Sequence, residues 1–271
     1  MGQDIHDDDN FSFRLTRKEW RVTFLIIILP IILILVLGSI LIIPYYADFV
    51  GSGEITSISE IGVQGSVNFV SIYAGYTENY FDKFLVMAIT ENRVVFTPID
   101  KEIIEDYEWE LEYGKEILHD VIENAINIAI EESGQASELF EERWDEIVAS
   151  TEEFYGDSIG LMLAIGLTEE LNDEDFSRGG KYKIAGTGTV EEDGYIGSIG
   201  FLKEKILAAE ENHVDYFLIP KDKEFFNEYG FEYGISNEVE AYKIKEETNI
   251  KVEIIPVETI NEALSFLRSL P

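Results

Sequence analysis

The 271-residue sequence contains no cysteine, which excludes disulfides, thiolate metal sites and a cysteine nucleophile. Its three histidines make imidazole bases scarce. Basic residues are also few, because 20 lysines and arginines face 54 aspartates and glutamates, for a formal net charge of −34 at pH 7. A surface of that sign repels phosphate backbones, so we expect no nucleic-acid partner. The acidity fits either a salt-rich habitat or an acidic cell-surface protein, and the sequence leaves that choice open.

Charged residues are missing from residues 22–43, which read VTFLIIILPIILILVLGSILII. As a helix this segment would be roughly 33 Å long, since each residue rises about 1.5 Å, and that length matches the core of a bilayer. Pro30 is tolerated in membrane helices. The sequence therefore predicts a transmembrane helix over residues 22–46, with the lipid bilayer as its partner. A cleaved signal peptide would have a shorter apolar core followed by a small-residue cleavage site, and neither feature is seen.

Positive charge is concentrated on the N-terminal flank of the apolar segment, at Arg14, Arg17, Lys18 and Arg21. Positively charged flanks stay in the cytoplasm, so the N-terminus is predicted inside and the chain after Tyr46 outside. The expected protein is a single-pass protein of the cell membrane with an acidic extracytoplasmic domain. The predicted divisions are a cytoplasmic tail at 1–21, the transmembrane helix at 22–46, a spacer at 47–63 and an ectodomain at 64–271.

Predicted strands and helices alternate in the ectodomain from residue 181 onward, which indicates an α/β or α+β core. The predicted strands are 67–73, 84–90, 93–96, 181–190, 195–196, 216–219 and 251–257. The predicted helices follow Asp100, cover 136–150, begin next to Ser158, span 202–212, lie within an insertion at 222–247 and follow Thr259. Asp193-Gly194 is a typical turn pair and predicts a hairpin. Thr259 and Glu262 match a capping box.

The five residues from Gly156 to Gly160 read GDSIG and match G-x-S-x-G, the pattern of the nucleophile elbow in α/β-hydrolases. Ser158 is therefore a candidate nucleophile, although a serine at this place could equally be a helix N-cap. An elbow serine follows a buried strand, whereas residues 147–155 look helical. The elbow also needs a histidine late in the chain, and His213 is the one candidate. A helical wheel places His213 at the end of an apolar stripe, where a structural role is simpler.

The same wheel places Lys205 on the flank of the apolar stripe that begins at Leu202, whereas Lys203 faces solvent. A lysine drawn into apolar surroundings loses solvation of its charged form, so its pKa falls and it can act as a neutral base. A serine activated by such a lysine is a known variant of the catalytic triad. The wheel alone favours the alternative, in which Lys205 extends its charged end to water.

The sequence from 155 onward resembles the proteolytic domain of Lon proteases, peptidase family S16. The similarity is greatest to the membrane-anchored, ATP-independent Lon-like proteases that often carry a PDZ domain. Family members have a serine motif of the G-x-S-A-G type, a Thr-Gly pair in the next strand and a G-G-x-K-x-K lysine motif. Ser158 matches the serine, Thr187 and Gly188 match the pair, and residues 200–205 (GFLKEK) match the lysine motif. The family's general base then falls on Lys205.

This resemblance implies an α+β fold of the Lon protease type, a mixed sheet with packed helices behind one transmembrane helix. It implies a serine endopeptidase in which Lys205 takes the proton of Ser158 and Thr187 orients the lysine. Backbone N–H groups of Asp157 and Ser158, after Gly156, would hold the oxyanion. The carboxylate of Asp157 is expected to be exposed, and it would aid the turn or raise the lysine pKa. The implied partners are peptides or unfolded proteins, and relatives form homo-oligomeric rings.

The sequence departs from the family pattern at two positions. Ile159 stands where alanine is usual, and Phe201 replaces the second glycine of the lysine motif. Both changes enlarge side chains near the site. No stretch matches a PDZ domain, and no GxxxxGK[ST] phosphate loop is present, so we expect no built-in ATPase. A catalytically degenerate ectodomain that binds peptides or a membrane partner is therefore a second hypothesis.

No cofactor or metal is expected. The run Asp173-x-Asp175-x-Ser177 resembles the start of a calcium loop, but Arg178 occupies the position where that loop requires glycine. The zinc-binding pattern HExxH does not occur.

Overall fold

The computed structural model describes residues 16–134, 139–152, 154–221 and 235–271. Helix α1 (Arg17–Leu41) begins at a capping box, in which Thr16 and Glu19 bond to each other's backbone N–H groups. Its most apolar window has a mean hydropathy of 3.2, and no part of that window is buried in the protein. The helix is therefore long and apolar enough to span a membrane. The predicted tail at 1–21 lies largely outside the described residues.

Strand β1 (Pro44–Ser57) follows α1 closely and forms a long antiparallel hairpin with β2 (Asn68–Asn79). Strand β3 (Val94–Pro98) pairs with β1 on its other edge. The prediction of a spacer at 47–63 is wrong, because β1 and the short 3₁₀ helix at Ile58–Ile61 occupy nearly all of that segment. The polar, glycine-containing sequence of this segment does not predict a strand, and the strand forms because it pairs with β2, which lies later in the chain.

The sheet has six strands in the order β3-β1-β2-β4-β5-β6. Strands β4 (Ile184–Gly186), β5 (Tyr216–Pro220) and β6 (Glu253–Val257) run parallel to one another, and β4 runs parallel to β2, so the sheet is mixed. The remaining helices are α2 (Tyr80–Ile89), α3 (Ile103–Ser133), α4 (Leu139–Ser150), α5 (Gly160–Asn172), α6 (Leu202–Glu211), α7 (Asn237–Glu247) and α8 (Ile260–Ser269). This mixed sheet with packed helices confirms the predicted fold class.

Helix α5 is the centre of the larger apolar core. Every residue from Gly160 to Glu169 is buried, because α3, α8 and the sheet enclose the helix. A second apolar cluster fills the space between α6, β5 and α7. These two clusters hold the start of α5 and the start of α6 on either side of β4, and thereby position the two sequence motifs.

Three secondary-structure predictions fail for physical reasons. Residues 84–90, predicted as a strand, belong to helix α2, which Asn79 begins by accepting a hydrogen bond from the Asp82 N–H. The strand predicted at 181–190 is reduced to β4, because the backbone beyond it bonds to the start of α5 instead. Gly194 does form a turn, yet Tyr195 bridges to Thr259 and forms no hairpin. Of the predicted insertion, residues 222–234 lie outside the described residues.

A buried carboxylate joins the end of α5 to the loop before β2. Glu169 is 1% exposed, and its side chain accepts hydrogen bonds from the Ser66 N–H (2.7 Å), the Ser66 hydroxyl (2.5 Å) and the Phe176 N–H (2.7 Å). Burial raises the pKa of Glu169, and these hydrogen bonds oppose that rise. The carboxylate therefore satisfies donors that would otherwise be buried without acceptors.

We predict that Glu169→Ala lowers the free energy of unfolding by about 3 kcal/mol, because the buried Phe176 N–H and the partly buried Ser66 N–H lose their acceptor. Glu246→Ala, at an exposed position, is the matched control and should change that free energy by less than about 0.5 kcal/mol. Denaturant unfolding of the full-length chain in detergent micelles measures both. Equal stability of the two variants would contradict the structural role of Glu169.

Candidate active site

The two glycines of the GDSIG motif are required by the fold itself. Gly156 has φ +86°, a conformation that side chains rarely adopt. A Cβ on Gly160 would lie 2.6 Å from Val121 Cγ1 and 2.9 Å from the Val190 N atom, so no side chain fits there. Ser158 is not a helix cap, because α5 starts at Gly160 after Ile159 and has no side-chain cap hydrogen bond. The serine hydroxyl is thus left without a capping role.

The segment around Thr187 is bonded directly to the serine turn. The Gly188 N–H donates to the Ser158 carbonyl (2.9 Å), and the Leu161 N–H donates to the Gly188 carbonyl (2.9 Å). The Thr187 hydroxyl also donates to the Ser158 carbonyl at 3.3 Å. The predicted serine and Thr-Gly motifs are therefore held together by main-chain hydrogen bonds.

Lys205 reaches the same place from α6. Its side chain is 4% exposed, and its Nζ donates a hydrogen bond to the Thr187 hydroxyl at 3.1 Å. The alternative interpretation of the helical wheel placed the charged end of Lys205 in water. The burial of Lys205 contradicts that alternative. Thr187 connects Lys205 to the Ser158 turn. No hydrogen bond joins the Ser158 hydroxyl to Lys205 in the part of the chain that the structure describes.

The burial of Lys205 lowers its pKa from 10.5 to about 8, although the negative charge of Asp157 opposes this effect. Asp157 is partly buried, which corrects the expectation that its carboxylate is exposed. Its own burial raises its pKa, and Lys205 opposes that rise. Burial and the charge of Asp157 together raise the pKa of Glu191 nearby. Lys205 and Asp157, both with shifted pKa values, thus lie close to Ser158.

A groove of about 410 Å³ brings these groups to one surface. Asp157, Ser158 and Lys205 lie on one side of it, and one wall is formed by residues 69–72 and Ala74 of β2. Strand β4 pairs with β2 at Asn68 and Phe69 alone among the described residues, so the β2 edge beyond them faces the groove. The groove is mainly apolar, with Phe69, Ile72, Phe154, Ile159 and Phe201 in its lining.

The β2 wall and Tyr155 were missed by sequence reasoning. Tyr155 is 45% exposed, and its hydroxyl donates to the Ala74 carbonyl of β2 at 3.1 Å. Burial of its hydroxyl end raises its pKa. The one sequence signal for Tyr155 was its position directly before Gly156. The β2 wall gave no such signal, since β2 lies far from Ser158 in the sequence.

Residues 154–268 match the Lon protease (S16) C-terminal proteolytic domain. No curated protein sequence matches the chain. Residues 154–268 form a Lon-type proteolytic domain. The matched segment contains the serine turn, the Thr-Gly pair and the lysine helix, so the chain carries a proteolytic domain of the S16 type.

The β2 wall of the groove lies outside the matched Lon-type segment, in residues that precede it.

Phe201 stands where the Lon pattern has glycine. It has φ +55°, in the left-handed region that glycine adopts readily, and it is 54% exposed at the start of α6. A side chain in this region costs roughly 1–2 kcal/mol. Ile159, the other departure, is 6% exposed and packs into the main core. Both residues line the groove of this Lon-type domain, Phe201 with an exposed side chain and Ile159 with a buried one.

Neither His119 nor His213, the two histidines that the structure describes, joins the Lon-type site. His213 is exposed beyond α6 and lines a separate cavity with Glu210 and Lys251, which shares no residue with the groove. His119 is exposed on α3, with its ring 5.8 Å from that of Trp144. His6 lies outside the described residues. Among the described residues, the segment before Ser158 contains helix α4 and no strand, so the nucleophile-elbow interpretation finds neither its base nor its strand there.

One acidic side chain of the Lon-type domain stabilises a loop. The Asp175 carboxylate accepts hydrogen bonds from the Ser177 hydroxyl (2.6 Å) and the Gly179 N–H (2.6 Å), which closes a loop. Within residues 16–134, 139–152, 154–221 and 235–271, no group of three or more His, Cys, Asp or Glu is arranged to hold a metal ion.

We predict that Lys205→Met raises the free energy of unfolding at pH 7. A pKa of about 8 in the folded chain against 10.5 without burial corresponds to a cost of about 3 kcal/mol below pH 8. The lost hydrogen bond to Thr187 subtracts about 1 kcal/mol, which leaves a gain of about 2 kcal/mol. The gain should fade as the pH rises from 8 towards 10.5, where lysine is neutral in both states.

Denaturant unfolding of the full-length chain in detergent micelles measures this gain. Lys203→Met, on the exposed side of the same helix, is the matched control and should leave stability almost unchanged. A less stable Lys205→Met variant at pH 7 would show that the buried ammonium group costs little.

Proposed function

We propose that the chain is a membrane-anchored, extracytoplasmic serine endopeptidase with a Ser158–Lys205 dyad, and that it cuts exposed or unfolded peptide segments without ATP. One observation carries this proposal: a buried lysine, bonded to Thr187, lies in the same groove as the motif serine. The S16 domain supplies the class of reaction.

In the proposed reaction, the Ser158 hydroxyl attacks a peptide carbonyl carbon while its proton passes to neutral Lys205. The resulting ammonium group then protonates the leaving amine, and an acyl-enzyme ester remains on the serine. Water hydrolyses that ester after giving its proton to the same lysine. A pKa of about 8 leaves roughly one-tenth of Lys205 neutral at pH 7, so the base is available without a histidine.

The start of α5 suits the oxyanion of the tetrahedral intermediate. The Ser158 N–H donates to no protein acceptor among the described residues, and it precedes the N-terminus of α5, where the helix dipole favours negative charge. The Asp157 N–H, the other group expected here, lies next to its own carboxylate. In this proposal Ser158 contributes the main N–H donor, and Asp157 keeps the Lys205 pKa higher than burial alone would.

The edge of β2 supports an extended peptide as substrate. A segment in an extended conformation could pair with the β2 backbone from Val70 to Ile72 and pass Ser158, in the manner of β-strand addition. The apolar lining would hold apolar side chains of that segment. An unfolded or loop segment adopts such a shape readily, and no GxxxxGK[ST] motif is present to couple unfolding to ATP.

The proposed topology rests on α1 and its flanks. An exposed apolar helix with basic residues at its N-terminal end and acidic sequence after it fits a single span with the N-terminus in the cytoplasm. The protease domain is then extracytoplasmic and anchored through α1; the predicted span at 22–46 is too long at its end, because residues 44–46 belong to β1. Assembly into a homo-oligomeric ring stays a prediction from the resemblance.

We predict that the full-length chain in detergent micelles cleaves an unfolded protein without ATP, and that Ser158→Ala and Lys205→Met each abolish cleavage. For the wild type, kcat/KM should rise with pH and level off above about 8, because neutral Lys205 is the base. His213→Ala and Lys203→Met are matched controls and should keep near-normal rates. Cleavage products are measured by mass spectrometry from pH 6 to pH 9.5, at low and high salt.

Two outcomes would contradict this proposal. Cleavage that survives both Ser158→Ala and Lys205→Met would identify a contaminating protease. No cleavage under any condition, together with a Ser158 that is inert to a fluorophosphonate probe, would favour the degenerate ectodomain that binds peptides.

A further inference from the structure

Helix α2 presents an apolar surface to the surroundings of the protein. None of its residues is buried. Its exposed apolar side chains include Phe84 (63%), Ile89 (63%), Phe81 (50%) and Leu85 (46%). Phe81, Phe84, Leu85 and Ala88 are three or four residues apart, so they share one face of the helix. We call these four residues the α2 outer face.

The charged side of α2 points towards the protein. Lys83, the one basic residue of the helix, donates from Nζ to the Tyr45 hydroxyl at 2.8 Å. The same Nζ lies 4.1 Å from the ring centre of Tyr45 and 4.9 Å from that of Phe96, so it packs on the sheet. A surface helix normally turns its charged side to water and its apolar side to the core. The reversed arrangement of α2 indicates that the medium outside it is apolar.

The position of α2 identifies that medium. Its first N–H, at Tyr80, donates to the carbonyl of Ile43 at 3.2 Å, directly after α1. The rings of Tyr45 and Tyr80 lie 4.8 Å apart at this junction. Tyrosine is enriched where protein crosses the boundary between hydrocarbon and water. Helix α2 therefore starts at the level at which α1 would leave a bilayer.

The charge around α2 also favours lipid over a second copy of the chain. Within residues 80–98, Asp82 and Glu91 are balanced by Lys83 and Arg93, whereas the chain as a whole carries −34. Two strongly acidic ectodomains repel each other in solution. A bilayer held beside α2 by α1 is always within reach and requires no such approach.

We propose that the α2 outer face lies in the headgroup region of the bilayer beside α1, and that it holds the ectodomain against the membrane surface. This inference rests on the membrane anchorage included in the proposed function. Helix α2 would then be an interfacial helix that adds a second membrane contact to the single span.

Site-directed spin labelling tests this proposal, since the natural chain has no cysteine. Phe84→Cys places a nitroxide on the α2 outer face of the full-length chain in lipid nanodiscs that hold one chain each. Leu33→Cys, within α1, reports on insertion of the span. Thr97→Cys is the matched aqueous control: Phe96 contacts Lys83, and successive strand residues point to opposite faces, so exposed Thr97 faces away from α2. Collision rates with oxygen and with a water-soluble nickel chelate are compared at each label.

We expect an oxygen-to-nickel collision ratio several-fold higher at 84 than at 97, and approaching that at 33. Leu85→Cys should give the same result and guards against a local effect of the first substitution. A water-like ratio at 84 with a lipid-like ratio at 33 would overturn the α2 proposal and leave the anchorage intact. Water-like ratios at both positions would overturn both. Protection of 84 that appears only in discs with two chains would overturn the proposal in favour of a second copy.

Discussion

The removal of the Lys205 ammonium group from water is the constraint on which the site depends. A pKa lowered from 10.5 to about 8 corresponds to a cost of about 3 kcal/mol, a large share of the net stability of an ordinary domain. The apolar residues around α6, among them Leu202, Ile206 and Ala209, provide the burial that imposes this cost. The hydroxyl of Thr187 accepts the one side-chain hydrogen bond that Lys205 makes among the described residues. A strained and costly arrangement of this kind is typical of a functional site.

The main chain keeps the serine turn beside this lysine. Gly160 and Gly188 are sites where a Cβ would collide with Val121 and Ile196, so two backbone segments approach more closely than side chains allow. That approach lets Gly188 bond to Ser158 and places Thr187 between the serine and the lysine. The close contact between these two backbone segments therefore depends on the packing of α5. The groove itself is completed by β2, which lies in a part of the chain outside the Lon-type segment.

The central part of this site was predictable because its signals are local. The wheel of α6 placed Lys205 on the flank of the apolar stripe, although it favoured a charged end in water, and the resemblance to Lon proteases linked Lys205 to Ser158 and Thr187. Tyr155 and the β2 edge were not predictable, since nothing in the sequence near Ser158 states which strand lies opposite. Helix α2 was mistaken for a strand because a short apolar run fits both periods, and its cap at Asn79 carried the missing information. The Asp193-Gly194 turn was correct locally, but the pairing of Tyr195 with Thr259 is set by tertiary contacts.

The most direct test of the account is a titration of Lys205 itself in the full-length chain. Lysine labelled with ¹³C at Cε reports its protonation by NMR, and the Lys205→Met spectrum assigns the signal. The account predicts a midpoint near pH 8 for Lys205, and a lower midpoint in Asp157→Asn, because the opposing negative charge is removed. A Lys205 midpoint close to the ordinary value of 10.5 would show a solvated, charged lysine and would contradict its role as the base.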